Sequence, residues 1–342
     1  MRSVTRLLVV MVWLSAVALP AAAASDTSQH TLSVTDFRGQ RVILAQPARR
    51  IVCLIESALS GLYMLGAQGA VAGISTNVYE AAVFPYYAAM DARIRQHALP
   101  TPGNWDFVNI ESVLALAPDL VIIWAHQSEA ITALEEKGIP VFGVFISRLE
   151  DIYAEMESLG TLTGKADRAR VLNRYTRNEL ARFASQAKNA GQARPGVYFM
   201  WAQSELATSG GSSTVNELID LAGGRNVFGD LNQEHAAVNL ESLLLRNPQV
   251  ILMWPSPTRS PDEITAMPAW QTLAAVQSGR VYALPSVFFC DLWTLKFQYA
   301  VKRLAGWCYP ERFGALDWRS EKRAMLENLF GPKLSERIPL EE

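Results

Sequence analysis

The side chains able to do chemistry are few and scattered. The chain has only four histidines; with His30 close to the start, His97, His126 and His235 are left to converge on a metal, with Glu234 or Asp291 as a carboxylate partner. That set gives an exported metal-dependent enzyme as one reading. None of the compact signatures GxSxG, HExxH, GxGxxG or CxxC occurs, so acyl transfer, zincin, dinucleotide and thiol-redox chemistry lack a motif. The glycine–serine segment 209–213 opens a helix whose free N–H groups suit an anion, but without GxxxxGK[ST] it reads as a polar cleft edge. Aromatic side chains are the larger resource. Tyr79, Tyr87, Trp105, Trp201 and Phe289 fall in loops or at strand ends, where stacking on a bulky ligand is the chemistry on offer.

Two carboxylates stand out because they recur. Residues 109–124 read NIESVLALAPDLVIIW and residues 239–254 read NLESLLLRNPQVILMW. In each copy an Asn caps a helix, Glu111 or Glu241 occupies the first turn, Pro118 or Pro248 ends the helix, and an apolar run follows. The runs 120–123 and 250–253 are too short for a helix and too uniformly apolar for a half-exposed strand, so they read as central strands of parallel sheets. Trp124 and Trp254 end these strands; Trp105 and His235 precede the two copies by the same interval. Ligands bind beyond the carboxyl ends of such strands, which directs these positions to a crevice between lobes.

The elements that must hold them follow from the pattern. Residues 34–43 read as a hairpin about Gly39, 51–55 as a buried strand, and 57–65 as a helix capped by Ser57, with a second strand over 71–74. Residues 75–108 read as a long aromatic connection, followed by the first repeat copy, a helix near 128–137 and a strand over 141–145. The stretch 148–189 has helical spacing alone, including a helix over 167–188 about 33 Å long that serves as a strut between lobes. Strands at 197–201 and 281–284 and helices at 214–221, 267–276, 293–306 and 320–330 complete a second α/β lobe, with a frayed tail. The expected organisation is a signal segment 1–24, a first lobe 25–147, connecting helices 148–190 and a second lobe 191–342.

Composition bounds the partners. Half the residues are hydrophobic and 19% are charged, with a net charge of −2, which suits a globular chain and gives nucleic acid no basic face. Arg2 and Arg6 precede the apolar run 7–19, then Pro20 and small residues to Ala24, the pattern of a secretory signal cleaved near Ala24. The run of about 13 apolar residues is short of the ~20 that span a bilayer. The expectation is an exported, soluble monomer. Of the three cysteines, Cys53 reads as a buried hydrophobe, and a helix separates Cys290 from Cys308.

With VTDFRGQRV, PARRIVCL, LGA, VAGI, the paired N-[IL]-E motif and the tail GWCYPERFGALDW, the mature chain resembles the periplasmic substrate-binding proteins of ABC importers for ferric siderophores, haem, cobalamin and certain oxyanions. The resemblance implies two Rossmann-like lobes joined by a long rigid helix, a ligand held between them with little hinge motion, and a periplasmic location. It implies that Glu111 and Glu241 dock on arginines of a two-fold membrane permease. Trp105 matches an aromatic that contacts ligand in cobalamin-binding members, whereas His235 stands where those members carry Trp. Joined to the aromatic positions read above, this gives Trp105, Tyr79, Tyr87, Trp201, His235 and Phe289 as the expected ligand-binding set, with no intrinsic cofactor and no catalytic residues. The implied cargo is a metal chelate, a ferric siderophore or other iron complex first, with a corrinoid or a molybdate- or tungstate-type oxyanion as alternatives. Arg93, Arg95 and Arg259 are the cations available to an anionic chelate.

Overall fold

A computed structural model describes residues 31–188 and 193–340, so the expected signal segment 1–24 lies outside the described residues. The first lobe begins with the antiparallel hairpin β1 (Leu32–Thr35) and β2 (Arg41–Leu44), turned at Gly39 with its positive φ of 79°. A parallel sheet follows, made of β3 (Ile51–Cys53), β4 (Val71–Ile74), β5 (Leu120–Trp124) and β6 (Val141–Val144) in the order β4-β3-β5-β6. Helix α1 (Glu56–Met64) joins β3 to β4. It starts one residue before the expected cap: Ile55 is the extended N-cap residue and offers no side-chain cap, while Ser57 is buried inside the helix.

The expected long connection is largely helical. A 3-10 turn over Thr76–Tyr79 is followed by α2 (Phe84–Met90) and α3 (Ala92–Arg95). Pro85 sits in the first turn of α2, where its missing N–H costs nothing, so it starts the helix instead of breaking it. Asp91 ends α2 and caps α3 by accepting from the Arg93 N–H. The lobe is completed by α4 (Ile110–Ala115) before β5 and α5 (Ser128–Glu135) after it.

Two helices form the connector, α6 (Leu149–Leu162) and α7 (Ala166–Lys188). The first packs on α1 and β1 of the first lobe. The second is the strut expected from sequence; at ~1.5 Å per residue it is about 35 Å long. Gly160 lets the two helices approach so closely that a Cβ there would lie 2.6 Å from the Ala169 Cβ.

The second lobe repeats the first. Its sheet comprises β7 (Gly196–Met200), the short β9 (Arg225–Asn226), β11 (Val250–Met253) and β12 (Val281–Ala283), with a separate two-stranded ladder of β8 (Ala207–Thr208) and β10 (Ala236–Ala237). The order β12-β11-β7-β9 is that of the first sheet, with the two repeated strands β5 and β11 in equivalent central positions. The helices are α8 (Thr214–Leu221), α9 (Leu240–Arg246), α10 (Pro261–Ala266), α11 (Ala274–Gln277), α12 (Phe297–Cys308), α13 (Pro310–Phe313), α14 (Trp318–Phe330) and α15 (Pro332–Ser335).

Three boundaries differ from expectation. The single helix expected over 267–276 is a 3-10 turn over Pro268–Trp270 followed by α11, because Pro268 cannot continue α10. Helix α12 starts at Phe297 and runs through Cys308, which is its buried last residue. Beyond Phe330 the chain re-forms a helical turn, α15, after Gly331 adopts a φ of 76°.

One apolar core crosses the molecule. It runs from Ile51 and Ile122 of the first sheet through Ile152 and Leu159 of α6 and Phe183 of α7 to Phe199, Leu252 and Leu329 of the second lobe. Smaller clusters fill the outer faces of the two sheets around Val121 and Ile251.

Candidate functional site

On the first lobe the site is built at the exits of β4 and β5. Asn104 makes an Asx turn, its Oδ1 accepting from the N–H of Asp106 at 2.8 Å and of Phe107 at 3.2 Å. Its Nδ2 donates to Thr76 Oγ1 at 2.8 Å, and Gln127 Nε2 donates to its carbonyl at 2.9 Å. Gly103 is obligatory there, since a Cβ would stand 2.4 Å from the Phe107 carbonyl oxygen. A turn pinned from three sides thus holds Trp105 54% and Phe107 53% exposed, above a cavity of about 570 Å³ also lined by His126 and Gln127. Two large apolar side chains held exposed side by side at strand ends are available for contact with a ligand.

The second lobe answers with a cluster of rings. Trp201 follows β7, Trp254 follows β11, and Trp293 precedes α12; the ring centroid of Trp201 lies 5.4 Å from Trp254, 6.3 Å from Trp293 and 4.9 Å from His235. Trp201 is fixed by its indole N–H, which donates to the buried Ser209 Oγ at 2.9 Å. The segment 209–213 is a backbone support instead of an anion cradle. A Cβ at Gly210 or Gly211 would meet the carbonyls of Leu231 or Gly229 at 2.2 and 2.4 Å, and Ser213 Oγ donates to the Gly210 carbonyl while capping α8. His235 is exposed at the edge of this cluster.

The expected ligand set is only partly brought together. Trp105, Trp201 and His235 lie at these strand ends, Trp105 and His235 exposed but Trp201 buried at 5% and packed into the core. Tyr87 and Phe289 have no exposed surface, so both are corrected to core aromatics: Tyr87 packs edge-on against Phe288, as does Phe289. Tyr79 is half-buried, stacked 4.4 Å from His97, with its hydroxyl donating to the Leu99 carbonyl at 3.2 Å. The three histidines therefore sit beside different aromatics, and among the described residues no three His, Cys, Asp or Glu side chains gather as a metal site. Arg93 is engaged by Asp91 at 2.7 Å and by the carbonyls of Val71 and Gln68, and Arg259 by Glu205 at 3.5 Å and the Ala202 carbonyl.

Sequence reasoning missed the seam where the lobes meet. Tyr86 of α2 stacks on Phe288 of the second lobe at 4.5 Å. Beside it, Tyr87 donates to Glu56 Oε1 at 2.5 Å. Burial, with the Asp291 charge, pushes the Glu56 carboxyl up to about 7 against the pull of Lys296 and Tyr87. Asp291 and Lys296, both buried, are 3.6 Å apart, and burial raises the Asp291 carboxyl despite the lysine. Glu155 of α6 is buried behind them, its carboxyl pushed up to about 8 by burial and then by Asp291. The one sequence signal for Glu56 was a carboxylate directly after an apolar strand.

The repeated glutamates are equivalent in three dimensions. Asn109 and Asn239 cap α4 and α9, accepting from Ser112 N–H at 2.9 Å and Ser242 N–H at 2.8 Å, and Glu111 and Glu241 stand exposed in the first turns.

The model of the periplasmic binding protein family matches residues 51–288. A vitamin B12-binding protein of Salmonella typhimurium is 30% identical over 153 residues, 44% of this chain and 57% of that protein, so the match spans little more than half of that relative. Among solved structures, the molybdate periplasmic binding protein MolA of Haemophilus influenzae superposes with a TM-score of 0.75 at 20% identity, covering 88% of this chain and 98% of that one. CeuE of Helicobacter pylori, in a Ni–His complex, gives 0.73 at 18% identity over 88% and 96%. At these identities the two structures speak for the fold alone: two lobes with a helical linker. With the model covering most of the chain and the two-lobed fold in place, this chain belongs to the periplasmic binding protein family, whose members carry solutes for ABC importers.

Proposed function

We propose that the protein captures a bulky metal chelate with flat, weakly charged or cationic faces between its lobes and delivers it to an ABC permease, and that a corrinoid fits better than the ferric siderophore suggested by sequence. What supports this is that each lobe carries aromatic side chains at its strand ends, exposed Trp105 and Phe107 on the first and the Trp201, Trp254, Trp293 and His235 cluster on the second. An anionic ferric chelate would need several cations, yet of the three offered by sequence Arg93 and Arg259 are held by Asp91 and Glu205, which leaves exposed Arg95. A bare oxyanion would need convergent donors, whereas the 209–213 segment uses its own internally. The likeness to a vitamin B12-binding protein supports the same choice.

Exposed Glu111 and Glu241, one on each lobe, are the proposed permease contacts. Two weak contacts on one rigid body give avidity beyond either alone. The ligand assignment is tested by tryptophan-fluorescence titration with cyanocobalamin, a ferric siderophore and molybdate. Saturable quenching by cyanocobalamin at micromolar or lower concentration is expected; tighter binding of either other ligand would overturn the corrinoid choice.

A further inference from the structure

We infer that Glu56 is the polar anchor of the cleft, its carboxylate accepting an N–H from an amide or ammonium group of the bound molecule; this rests on the reading of the cleft given above. Three observations place it there. Glu56 follows the carboxyl end of β3, the side on which open α/β sheets bind ligands. It is half-buried, so it is not sealed inside the core as its neighbours Ile55 and Ser57 are. It also lies at the seam, bonded to Tyr87, whose ring packs on Phe288 of the second lobe.

Behind it, Asp291 Oδ2 and Lys296 Nζ form a buried ion pair at 3.6 Å, and the lysine also lies over the Phe288 ring at 3.8 Å, so charged groups of the second lobe stand next to the Glu56 carboxylate. Tyr87 engages one carboxylate oxygen of Glu56, leaving the other to receive the ligand. A first-turn carboxylate also serves its helix, and α1 lacks a side-chain cap. That role alone would affect stability and not the pH dependence of binding.

The groups acting on Glu56 are Asp291 and Lys296 from the second lobe, Tyr87 from α2 and Glu80 after the 3-10 turn; Cys53 of β3 lies beside it, and Asp291 also acts on Glu155 of α6. Together they leave its carboxyl titrating at about 7. An incoming N–H favours the ionised form. The ligand keeps its hydrogen, and the Glu56 proton leaves to solvent. Affinity therefore rises with pH, by about tenfold between pH 6 and pH 8 when only the carboxylate binds.

The probe is cyanocobalamin, whose periphery carries amide N–H groups, measured by equilibrium dialysis at pH 6, 7 and 8. The wild type is expected to show the tenfold rise. Glu56→Gln should bind about tenfold more weakly at pH 8 and lose the pH dependence. Tyr87→Phe removes a bond that favours the carboxylate, so its profile should move to higher pH; circular dichroism establishes that both variants fold. A flat wild-type profile, or wild-type affinity in Glu56→Gln at pH 8, overturns the anchor and leaves the corrinoid reading standing. If a ferric siderophore or molybdate binds in place of cyanocobalamin, that reading falls and the same pH series on the new ligand decides the anchor. Binding of none of the three overturns both.

Discussion

Trp105 and Tyr87 are both aromatic, both in the polar, proline-rich stretch before the first repeat, and indistinguishable by residue type as ligand contacts. Their settings separate them, for Trp105 is 54% exposed and Tyr87 fully buried. Covering half a tryptophan removes on the order of 100 Å² of apolar surface, which at ~25 cal/mol per Å² is about 2.5 kcal/mol. Trp105→Ala should accordingly weaken ligand binding by roughly 1–3 kcal/mol with little change in stability. Titration of that variant checks this, and unchanged affinity would remove the residue from the site. Glu155 is a second case in which burial decides. Its carboxyl is held protonated in the fold, at about 8, whereas an unfolded chain titrates it near the ordinary glutamate value. The folded state binds the extra proton between those values, so this stabilisation is complete below the unfolded value and is lost as pH rises through 8. Urea midpoints should fall between pH 5.5 and pH 8.5, with Glu56 acting in the same direction. In Glu155→Gln the fall should be smaller; an identical slope would mean that the carboxyl does not hold its proton.

At the level of elements, Gly160 measures how tightly the connector is built. Alanine is worth up to ~1 kcal/mol over glycine in a helix. Against that, its Cβ would meet Ala169 Cβ at 2.6 Å and the Ala166 Cα at 3.3 Å, and overpacking of this kind costs ~1–3 kcal/mol. The clash wins, and Gly160→Ala should lower the unfolding free energy by about 1–2 kcal/mol in urea; a stabilised variant would show that α6 and α7 have room to separate. The repeated strands, their capped helices and the strut were legible because each rests on local chemistry: Asn before a helix, Pro after it, and an apolar run long enough for one strand. The site was less so. Trp293 joins the ring cluster through tertiary packing, and Glu56 meets Asp291 and Lys296 across more than two hundred residues, where no periodicity reaches. The stretch 75–108 was misread for another reason, because aromatic and proline content suggested a loop where Pro85 and Asp91 start helices.

For the whole molecule, the continuity of the core bears on how it moves. Apolar packing runs from the first sheet through α6 and α7 into the second lobe, Arg168 of α7 donates to the carbonyls of Met64 in α1 and Leu329 in α14, and Lys302 of α12 pairs with Glu179 of α7 at 2.6 Å and Glu321 of α14 at 2.8 Å. A packed junction of this kind resists bending more than a strand hinge, so the radius of gyration in small-angle scattering should change little on ligand binding; a large decrease would defeat the rigid-strut reading. A rigid junction would also fix the separation of Glu111 and Glu241, which the proposed paired docking requires. As first-turn carboxylates they contribute about 0.3–1 kcal/mol each to their helices, and that role alone predicts a small stability cost on replacement. Docking predicts something different. In the double variant Glu111→Arg, Glu241→Arg, ligand affinity of the purified protein should stay near wild type, while uptake in cells should fall strongly because each new cation meets a permease arginine. Normal uptake would leave only the helix role, and parallel loss of ligand binding would assign the two glutamates to the cleft or the fold.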